Sequence, residues 1–210
     1  MSEDSAANFS LLSKYGIRFP ATILANSKES ALSACSKVGF PLAMKVSSSK
    51  VLHKSDMGGV ILGIKSAQEA EKAYNLLMER YKGVTVDGVL VQRMASKSAV
   101  ELIIGGKKDA QFGQLLMLGT GGIFVEVFRD VTFRICPISR SDALEMISEL
   151  RSSPILDGAR GRKPVDKDAL AATLVKVSRL LEREDPSEFD INPLMCDEKG
   201  CMAVDMRILP

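Results

Sequence analysis

The closing segment of the chain, residues 187–208, constrains the fold more than any other stretch, because its turn determines how two strands pair. It reads SEFDINPLMCDEKGCMAVDMRI, in which the polar residues 197–200 separate two runs of strand-type residues. If these four residues form the turn, Cys196 pairs with Cys201, and every other pair follows by counting back along both strands. The segment is therefore predicted to be an antiparallel hairpin with a defined register.

The predicted register brings polar side chains together on one face of this hairpin. Asn192 lies opposite Asp205, and Asp190 lies opposite Arg207. Because side chains alternate along a strand, Asp190 and Asn192 share a face. One carboxylate from each strand and an amide oxygen then converge, and this ligand set suits Mg²⁺, which completes its octahedron with water and nucleotide phosphates. The alternative is a solvated face with ordinary polar residues, and a slip of one residue would separate these side chains.

Composition places the chain among globular proteins and narrows its function. Its 210 residues are 46% hydrophobic and 26% charged, which is enough for one sizeable domain or two small ones. A net charge of +2, only 5% aromatic residues and no long basic run argue against a nucleic-acid surface. No apolar stretch approaches the roughly 20 residues that cross a bilayer, and the N-terminus lacks a signal-peptide pattern. We expect a soluble, cytoplasmic protein with no membrane contact.

The cysteines do not form the pattern of a zinc site, because they include no CxxC pair and have no histidine close in sequence. There are four of them: Cys35, Cys136, Cys196 and Cys201. Buried free thiols are the expected state. A disulfide between Cys196 and Cys201, across the closing hairpin, is the alternative.

Helix and strand patterns mix in the first half of the chain, and strands dominate the second half. Capping-box patterns predict helices beginning at Asn26 and Ser66, and residues 139–150 and 166–182 predict two more. Strand patterns precede the closing hairpin in the segments LAMKVS, GVILGI, VLVQRM, AVELIIGG, QLLML, IFVEVF and VTFRIC. The sequence thus predicts an α/β (α+β) protein with helices on the outside of a sheet.

A division near Met94 separates these patterns into two lobes. The first lobe is predicted to comprise residues 1–94, and the second to comprise residues 95–210 with the closing hairpin. Ligands commonly bind between two such lobes, so we expect a ligand in the cleft between them.

Two features of the sequence suit an anionic ligand, and each has a structural alternative. Lys45 stands inside the apolar strand LAMKVS, where it is either an edge residue reaching water or a charge kept for an anion. The segment GTGG, residues 119–122, follows an apolar strand, and backbone amides in such loops can cradle phosphate. GTGG matches neither common nucleotide-binding glycine pattern, so its glycines are equally consistent with a simple turn.

The motifs along the chain, taken in order, resemble those of ATP-grasp nucleotide-binding domains. More closely, the chain resembles the β subunit of ADP-forming acetyl-CoA synthetases, also called NDP-forming acyl-CoA synthetases. The resemblance extends from about Leu11 to Ile208. It is carried by the segments GFPLAMKVSS, HKSDMGGV, VLVQRM, VELIIGG, GTGGIFVEVFRDVTFRICPI, DGARGRKP, FDINPL and AVDMRI.

The resemblance implies an ATP-grasp fold and a reversible reaction in which acyl-CoA, ADP and phosphate give a free acid, CoA and ATP. In that family an α subunit or fused domain binds CoA and forms the acyl phosphate, and its active-site histidine takes the phosphoryl group. The ATP-grasp subunit then passes this group to ADP. This chain contains no candidate CoA-binding half. The resemblance therefore implies a CoA-binding α subunit as partner, in an α2β2 assembly, with Mg²⁺ as cofactor.

The resemblance also assigns roles to individual positions around the nucleotide. Lys45 would contact the phosphates, and Ser47 would also bind the nucleotide. Val91, Gln92 and Met94 would hold adenine through backbone groups, and Glu101 would lie near the ribose. Arg134 would lie on a strand that lines the cleft. Asn192 and Asp205 would bind Mg²⁺, in agreement with the hairpin register. Asp190 would hold a phosphohistidine or belong to the metal's outer shell. Arg160 and Arg162, in DGARGRKP, are typical of the family, and the resemblance assigns them no role.

The only histidine of the chain, His53, lies in the polar stretch SSSKVLHKSDMGG. In the related enzymes the histidine of the HKSD motif is a second phosphoryl carrier, after the active-site histidine of the α subunit, and His53 matches it. One imidazole nitrogen is a free nucleophile near neutral pH, and the P–N bond that it forms is labile. Lys54 would offset phosphate charge, and Asp56 would orient the ring. The alternative is a histidine with no chemical role.

Two other functions fit parts of this pattern. One is a non-catalytic, nucleotide-sensing regulatory subunit, although the joint presence of His53, Lys45, Asn192 and Asp205 argues against it. The other is a stand-alone ATP-grasp carboxylate ligase, which makes an acyl phosphate directly and needs no carrier histidine. Replacement of His53 distinguishes the ligase from a phosphohistidine carrier.

Overall fold

The computed structural model describes residues 5–48, 57–121, 129–161 and 163–209. The chain divides into two compact units. The first consists of Met1–Ala7 and Pro20–Met94, and the second of Asn8–Phe19 and Ala95–Pro210. The sequence predicts the whole N-terminal segment in the first lobe, whereas Asn8–Phe19 belongs to the second unit. The reason is burial, because Leu12 and Ile17 are part of the hydrophobic core of the second unit.

The first unit is an antiparallel sheet with helices packed against it. Its strands are ordered β1-β4-β2-β3, and helices α2 and α3 contact the sheet and each other. In chain order, after helix α1 (Ser5–Lys14), the elements are β1 (Thr22–Ala25), α2 (Lys28–Val38), β2 (Leu42–Ser47), β3 (Val60–Ile64), α3 (Ala67–Arg80) and β4 (Gly88–Arg93).

The helix starts in this unit follow from capping side chains. Ser66 accepts a hydrogen bond from the amide of Glu69, which confirms the predicted start of α3. Helix α2 is capped by Ser27 and not, as predicted, by Asn26. The observed cap therefore lies one residue after the predicted one. Ser27 has the extended backbone that a cap requires, and Ser30 completes its capping box.

The second unit is a larger antiparallel sheet, ordered β10-β8-β5-β6-β7, with β9 paired to the far end of β8. After a 3₁₀ turn at Ala159–Gly161, a long helix leads into the closing strands. The elements are β5 (Val100–Asp109), β6 (Gly113–Thr120), β7 (Val131–Ile135), α4 (Arg140–Glu149), α5 (Ser153–Leu156), α6 (Lys167–Glu184), β8 (Glu188–Asp197), β9 (Gly200–Ala203) and β10 (Met206–Leu209). Caps at Ser139 and Asp166 confirm the predicted starts of α4 and α6.

The two faces of this second sheet differ. Leu116 and Leu118 on β6 are fully buried in the core, where α4 contacts β7 and α6 contacts β6. Met117, between them, points to the opposite face, and its cross-strand neighbour Phe133 on β7 is 54% exposed. One face therefore carries the helices, and the other, the open face, exposes Phe133 and Ile135 within the described residues of this unit. Among the helices that the structure describes, none is long and apolar enough to cross a membrane.

Candidate functional site

The closing strands adopt the register that the sequence predicts. Cys196 pairs with Cys201, and Asp190 pairs with Arg207. The backbone amide of Asn192 donates to the carbonyl oxygen of Asp205 at 3.2 Å, so these two residues also lie opposite each other. The turn thus sets the pairing from one end of the hairpin to the other, and this part of the prediction is confirmed.

The second strand of the hairpin is interrupted, which the sequence does not predict. It divides into β9 and β10, with Val204 and Asp205 between them, while the amide of Val204 still donates to the carbonyl of Pro193 at 3.0 Å. Pro193 has no amide hydrogen to continue the ladder. The pairing of β5 with β8 also shifts by one residue between Leu102 and Ile104, opposite this point. The irregularity leaves Asn192 and Asp205 exposed.

The donor set at this irregularity fits a hard cation that retains most of its water. Asn192 supplies an amide oxygen and Asp205 a carboxylate, of which Oδ1 also accepts the amide of Met206 at 3.0 Å. Within the described residues no group of three or more histidine, cysteine, aspartate or glutamate side chains is placed to hold a metal. Such a small oxygen set suits Mg²⁺, since phosphate and water complete its coordination, and does not suit zinc.

Asp190 and Arg207 border a groove of about 480 Å³ on the open face of the second sheet. In one row across three strands, Gly105 pairs with Asp190 and Asp190 with Arg207. The next row pairs Lys107 with Glu188. The apolar lining comes from Ile103, Leu115, Met117, Phe133 and Leu209. The groove therefore combines an apolar floor with two pairs of opposite charges.

Sequence reasoning misses Lys107 and Glu188 as members of this surface. The signal is weak, because each stands in a strand of alternating pattern where a charge suggests nothing beyond a solvated face. Only the pairing of β5 with β8, which are far apart in sequence, places the two residues side by side. The same pairing brings Gly105, which has no side chain, next to Asp190.

Lys45 and Ser47 occupy β2 of the first unit, which lies between β4 and β3. Lys45 pairs with Val60 on one side and Leu90 on the other, and only 7% of its surface is exposed. The alternative of an edge lysine is therefore wrong, because β2 is a central strand. Ser47 is also buried, and its carbonyl accepts the amide of Asp87.

The segment predicted to hold adenine comprises the last three residues of β4 and Met94, which follows the strand. Val91 is fully buried in the core of the first unit, and the Gln92 side chain donates to the Thr22 hydroxyl at 3.0 Å. The amide of Met94 donates to the carbonyl of Pro41 at 3.1 Å. The described contacts of Gln92 and Met94 therefore hold this segment within the first unit.

Glu101 lies on β5, where its side chain is exposed and its backbone supports the glycine segment. The carbonyl oxygen of Glu101 accepts the amide of Gly121 at 2.7 Å. A Cβ on Gly121 would lie 2.9 Å from the carbonyl carbon and oxygen of Glu101. Glycine is thus required at residue 121 by close approach of two backbones, which a simple turn would not demand.

We expect replacement of Gly121 by alanine to lower the free energy of unfolding by about 1–3 kcal/mol, because backbone atoms cannot move aside as a side chain can. Denaturant unfolding at equilibrium measures the change. Gly105→Ala is the matched control, since its Cβ would contact only the flexible side chain of Met117, whose terminal methyl is nearest at 2.9 Å. Equal stability of the two variants would contradict the assigned backbone contact.

Asp130 anchors the other side of this glycine segment. Its carboxylate accepts hydrogen bonds from the amides of Arg151 and Ser152, at 2.8 and 2.9 Å, and from the Thr120 hydroxyl at 3.1 Å. Burial raises the pKa of Asp130, but the hydrogen bonds from Ser152, Arg151 and Thr120 outweigh it and hold this pKa below its ordinary value. The carboxylate stays ionised and ties β6 to the segment between α4 and α5.

We expect Asp130→Asn to lower the free energy of unfolding by about 2 kcal/mol at pH 7, because charge-assisted hydrogen bonds are lost. The folded-state pKa is depressed, so this stabilisation is present above about pH 4 and is lost as the pH falls through the folded-state pKa. The wild type and the variant should therefore converge below pH 4 in unfolding experiments. Asp168→Asn, at an exposed site, is the control. A difference independent of pH would contradict this account.

Arg134 lies on β7 but does not join Asp190 on the open face. It pairs with Leu116 on the helix-covered side, and its guanidinium binds Glu149 of α4 at 2.7 and 3.0 Å. A contact with Glu145, at 3.5 Å, completes this set. The hydrogen bonds to Glu149 raise the pKa of Arg134. The sequence predicts this side chain in the cleft, whereas its described contacts join the sheet to a helix.

Several predicted residues lie outside the part of the chain that the structure describes. They are His53, Lys54, Asp56 and Arg162. Arg160 belongs to the 3₁₀ turn at Ala159–Gly161. The described residues thus bring Asp190, Asn192 and Asp205 onto one hairpin, and place Lys45, Ser47, Val91, Gln92 and Met94 together in the first sheet and the segment after it.

Comparison with known proteins agrees with this architecture. Residues 3–209 match the family model of the ATP-grasp domain. The β subunit of acetate–CoA ligase (ADP-forming) I of Pyrococcus furiosus is 43% identical over 204 residues, covering 95% of this chain and 88% of that subunit. Acetate–CoA ligase (ADP-forming) II of Archaeoglobus fulgidus is 40% identical, and the chain covers 29% of its greater length.

A solved structure gives the same relationship. Acetyl-coenzyme A synthetase 1 of Ca. Korarchaeum cryptofilum, in complex with coenzyme A, Ca-AMPCP and HgCl⁺, superposes with a TM-score of 0.92 at 42% identity, covering 97% of this chain and 90% of that one. A second structure of that enzyme, with Mg-AMPPCP, has its phosphohistidine segment pointing towards the nucleotide-binding site. Its TM-score is 0.85 at 39% identity, with 100% and 91% coverage. The chain therefore belongs to the ATP-grasp family, in the branch of the β subunits of ADP-forming acetate–CoA ligases.

Proposed function

We propose that this chain is the nucleotide-binding subunit of an ADP-forming acyl-CoA synthetase, an acid–CoA ligase. Its reaction transfers a phosphoryl group reversibly between a phosphohistidine and ADP, within the conversion of acyl-CoA, ADP and phosphate to acid, CoA and ATP. The observation that carries the proposal is the closing hairpin. Its register sets Asn192 against Asp205 and Asp190 against Arg207, in a chain that is 43% identical to such a β subunit.

Asn192 and Asp205 are proposed to hold Mg²⁺ together with the nucleotide phosphates. When bound, Mg²⁺ neutralises charge on the phosphoryl group being transferred. Lys45 adds a positive charge for the phosphates from β2, where its burial strengthens any electrostatic interaction. Ser47 stands two residues further along the same strand and faces the same way. The chemistry required of these side chains is positioning and charge compensation.

The adenosine part of the nucleotide is proposed to lie against residues 91–94 and Glu101. The amide of Met94 already donates to Pro41, so adenine would be recognised through other groups of this segment. The buried side chains of Val91 and Gln92 keep the segment rigid. Glu101, on the exposed side of β5, supplies a carboxylate acceptor for ribose hydroxyl groups.

His53 is proposed to carry the phosphoryl group. A nitrogen of the His53 imidazole attacks the phosphorus held by the active-site histidine of the α subunit, so that one P–N bond forms as the other breaks and that histidine is released. The P–N bond to His53 then breaks as a β-phosphate oxygen of ADP forms the new P–O bond. Lys54 offsets the negative charge of the phosphoryl group, and Asp56 orients the imidazole ring before it is phosphorylated. This transfer requires the histidine to reach the nucleotide. In a related structure the phosphohistidine segment points towards the nucleotide-binding site.

The groove beside Asp190 is proposed to receive the phosphorylated imidazole. Asp190 offers a carboxylate for the ring N–H, and Arg207, its cross-strand neighbour, offers a guanidinium for phosphate oxygens. The apolar floor excludes water, which would otherwise hydrolyse the P–N bond. For Arg134 to contact the nucleotide, its guanidinium would first have to release Glu149.

A CoA-binding α subunit is the proposed partner, in an α2β2 assembly. The related chain of Pyrococcus furiosus is named a β subunit. The Archaeoglobus fulgidus relative is more than three times as long as the region matched here, and the additional length leaves room for the CoA-binding half. The acyl group is then selected by the partner, and this chain supplies the nucleotide half of the reaction.

The test is phosphorylation of the purified chain by γ-labelled ATP in the presence of Mg²⁺. We expect the protein to carry label that is stable in base and lost in acid, as a phosphohistidine requires. Unlabelled ADP added afterwards should take up this label and become labelled ATP. The experiment is repeated with the CoA-binding partner present. If nucleotide binds but no label appears under either condition, the carrier mechanism is wrong and a regulatory subunit is favoured. ATP cleavage that requires a carboxylic acid substrate, without labelled protein, would indicate a stand-alone ligase.

A further inference from the structure

The hairpin formed by β8 and β9 holds two thiols against each other. Cys196 and Cys201 are direct cross-strand partners, and their Sγ atoms are 2.7 Å apart. Both are free cysteines, and both are buried, with exposed fractions of 0% and 4%. Neither thiol has a part in the proposed phosphoryl transfer.

The backbone geometry of this pair suits a covalent bond between the two sulfur atoms. Residues directly opposite each other on antiparallel strands have Cα atoms about 4.5–5.5 Å apart. Disulfides in proteins span Cα separations of about 4.4–6.8 Å. Closure of the pair therefore requires rotation of the side chains and no change of register.

The remaining cysteines lack such a partner. Cys35 lies in α2, where its thiol donates to the carbonyl of Ala31 at 3.1 Å. Cys136 follows β7, and its amide donates to the carbonyl of Gln114. Among the described contacts of these two residues no sulfur atom occurs, so they serve as internal controls.

We propose that Cys196 and Cys201 form an oxidisable pair whose disulfide clamps the closing hairpin. With hydrogen peroxide as the oxidant, one sulfur attacks a peroxide oxygen, the O–O bond breaks, and a sulfenic acid and water result. The second thiol then attacks the sulfenic sulfur, the S–S bond forms, and a second water leaves. Two thiols are oxidised and one peroxide is reduced. A dithiol reductant reverses the reaction by exchange.

Closure is slow in the folded protein and the product is durable. Burial, together with the hydrogen bond to Cys201, raises the pKa of the Cys196 thiol, so little of the reactive thiolate is present at neutral pH. The same burial shields the disulfide from reductants once it has formed. The clamp lies four residues from Asn192 on one strand and four from Asp205 on the other. It therefore secures the register that sets those two residues opposite each other.

Peptide mapping tests the proposal directly, because Lys199 lies between the two cysteines. The chain is treated with peroxide, the remaining thiols are alkylated in denaturant, and the protein is digested with trypsin without reduction. We expect the peptides of residues 184–199 and 200–207 to be recovered joined, while Cys35 and Cys136 are alkylated. Recovery of the two peptides separately, each alkylated, would overturn the proposal, as would their joining to Cys35 or Cys136.

A melting experiment tests the clamp as well as the bond. We expect the oxidised chain to melt about 5 °C above the reduced chain, because the crosslink restricts the unfolded state. Cys201→Ala should show neither the joined peptides nor the oxidation-dependent shift, and Cys136→Ala should show both. A joined peptide without any rise in melting temperature would overturn the clamping role. The test is independent of nucleotide chemistry, so its failure leaves the proposed function untouched.

Discussion

Replacement of His53 by alanine should abolish phosphoryl transfer while leaving nucleotide binding intact. We expect the rate of ATP formation from acyl-CoA, ADP and phosphate, measured with the CoA-binding partner, to fall at least about a thousandfold, as when other covalent nucleophiles are removed. Alanine has no nitrogen to form the P–N bond, and no other histidine exists in the chain. The label from γ-labelled ATP should disappear in the same variant.

The matched control for this variant is Met57→Ala, four residues along the chain. Met57 is 57% exposed and carries no nucleophile, so its removal should preserve labelling and turnover. ADP binding, measured by calorimetry, should agree within about twofold among the wild type and both variants. Acid-labile label persisting in His53→Ala would refute the carrier role, and loss of ADP binding in that variant would show that the residue is structural.

Local signals explain why the closing hairpin is predictable from the sequence. A four-residue polar turn and the two-residue period of a strand determine its pairs, and both act over short distances. Caps at Ser66, Ser139 and Asp166 are predictable for the same reason, since a side-chain oxygen binds an amide three residues along. The cap of α2 differs by one residue because Asn26 and Ser27 are both good caps and only the backbone decides between them.

The features that escape prediction depend on contacts between residues far apart in sequence. Pairing of β5 with β8 creates the row of Gly105, Asp190 and Arg207, and no local pattern in either strand specifies the partner. The segment Asn8–Phe19 belongs to the second unit because Leu12 and Ile17 are buried in its core. Alternation along β7 predicts which residues share a face with Arg134. Only the position of α4 shows that helices cover this face.

The carboxylate of Asp205 provides the second large effect, since it is the charged half of the proposed Mg²⁺ site. Asp205→Asn retains the shape of the side chain and the oxygen that accepts the amide of Met206, but it removes the negative charge that a hard cation prefers. We expect the Mg²⁺ concentration for half-maximal labelling by ATP to rise about a hundredfold, because ligand charge count sets affinity at such sites. Titration of Mg²⁺ at fixed ATP measures the shift.

The control for this variant is a second aspartate of the same hairpin, Asp197, whose replacement distinguishes metal ligation from a general effect of charge. Asp197 accepts the amide of Lys199 at 2.8 Å in the turn, and Asp197→Asn retains this contact while also removing one negative charge. We expect its Mg²⁺ dependence to match the wild type within about twofold, and both variants to melt close to the wild type. An equal shift in the two variants would mean that general electrostatics act and that Asp205 is no ligand. An unchanged Mg²⁺ dependence in Asp205→Asn would remove the hairpin from the metal site, because Asn192 alone offers only one neutral oxygen to the cation.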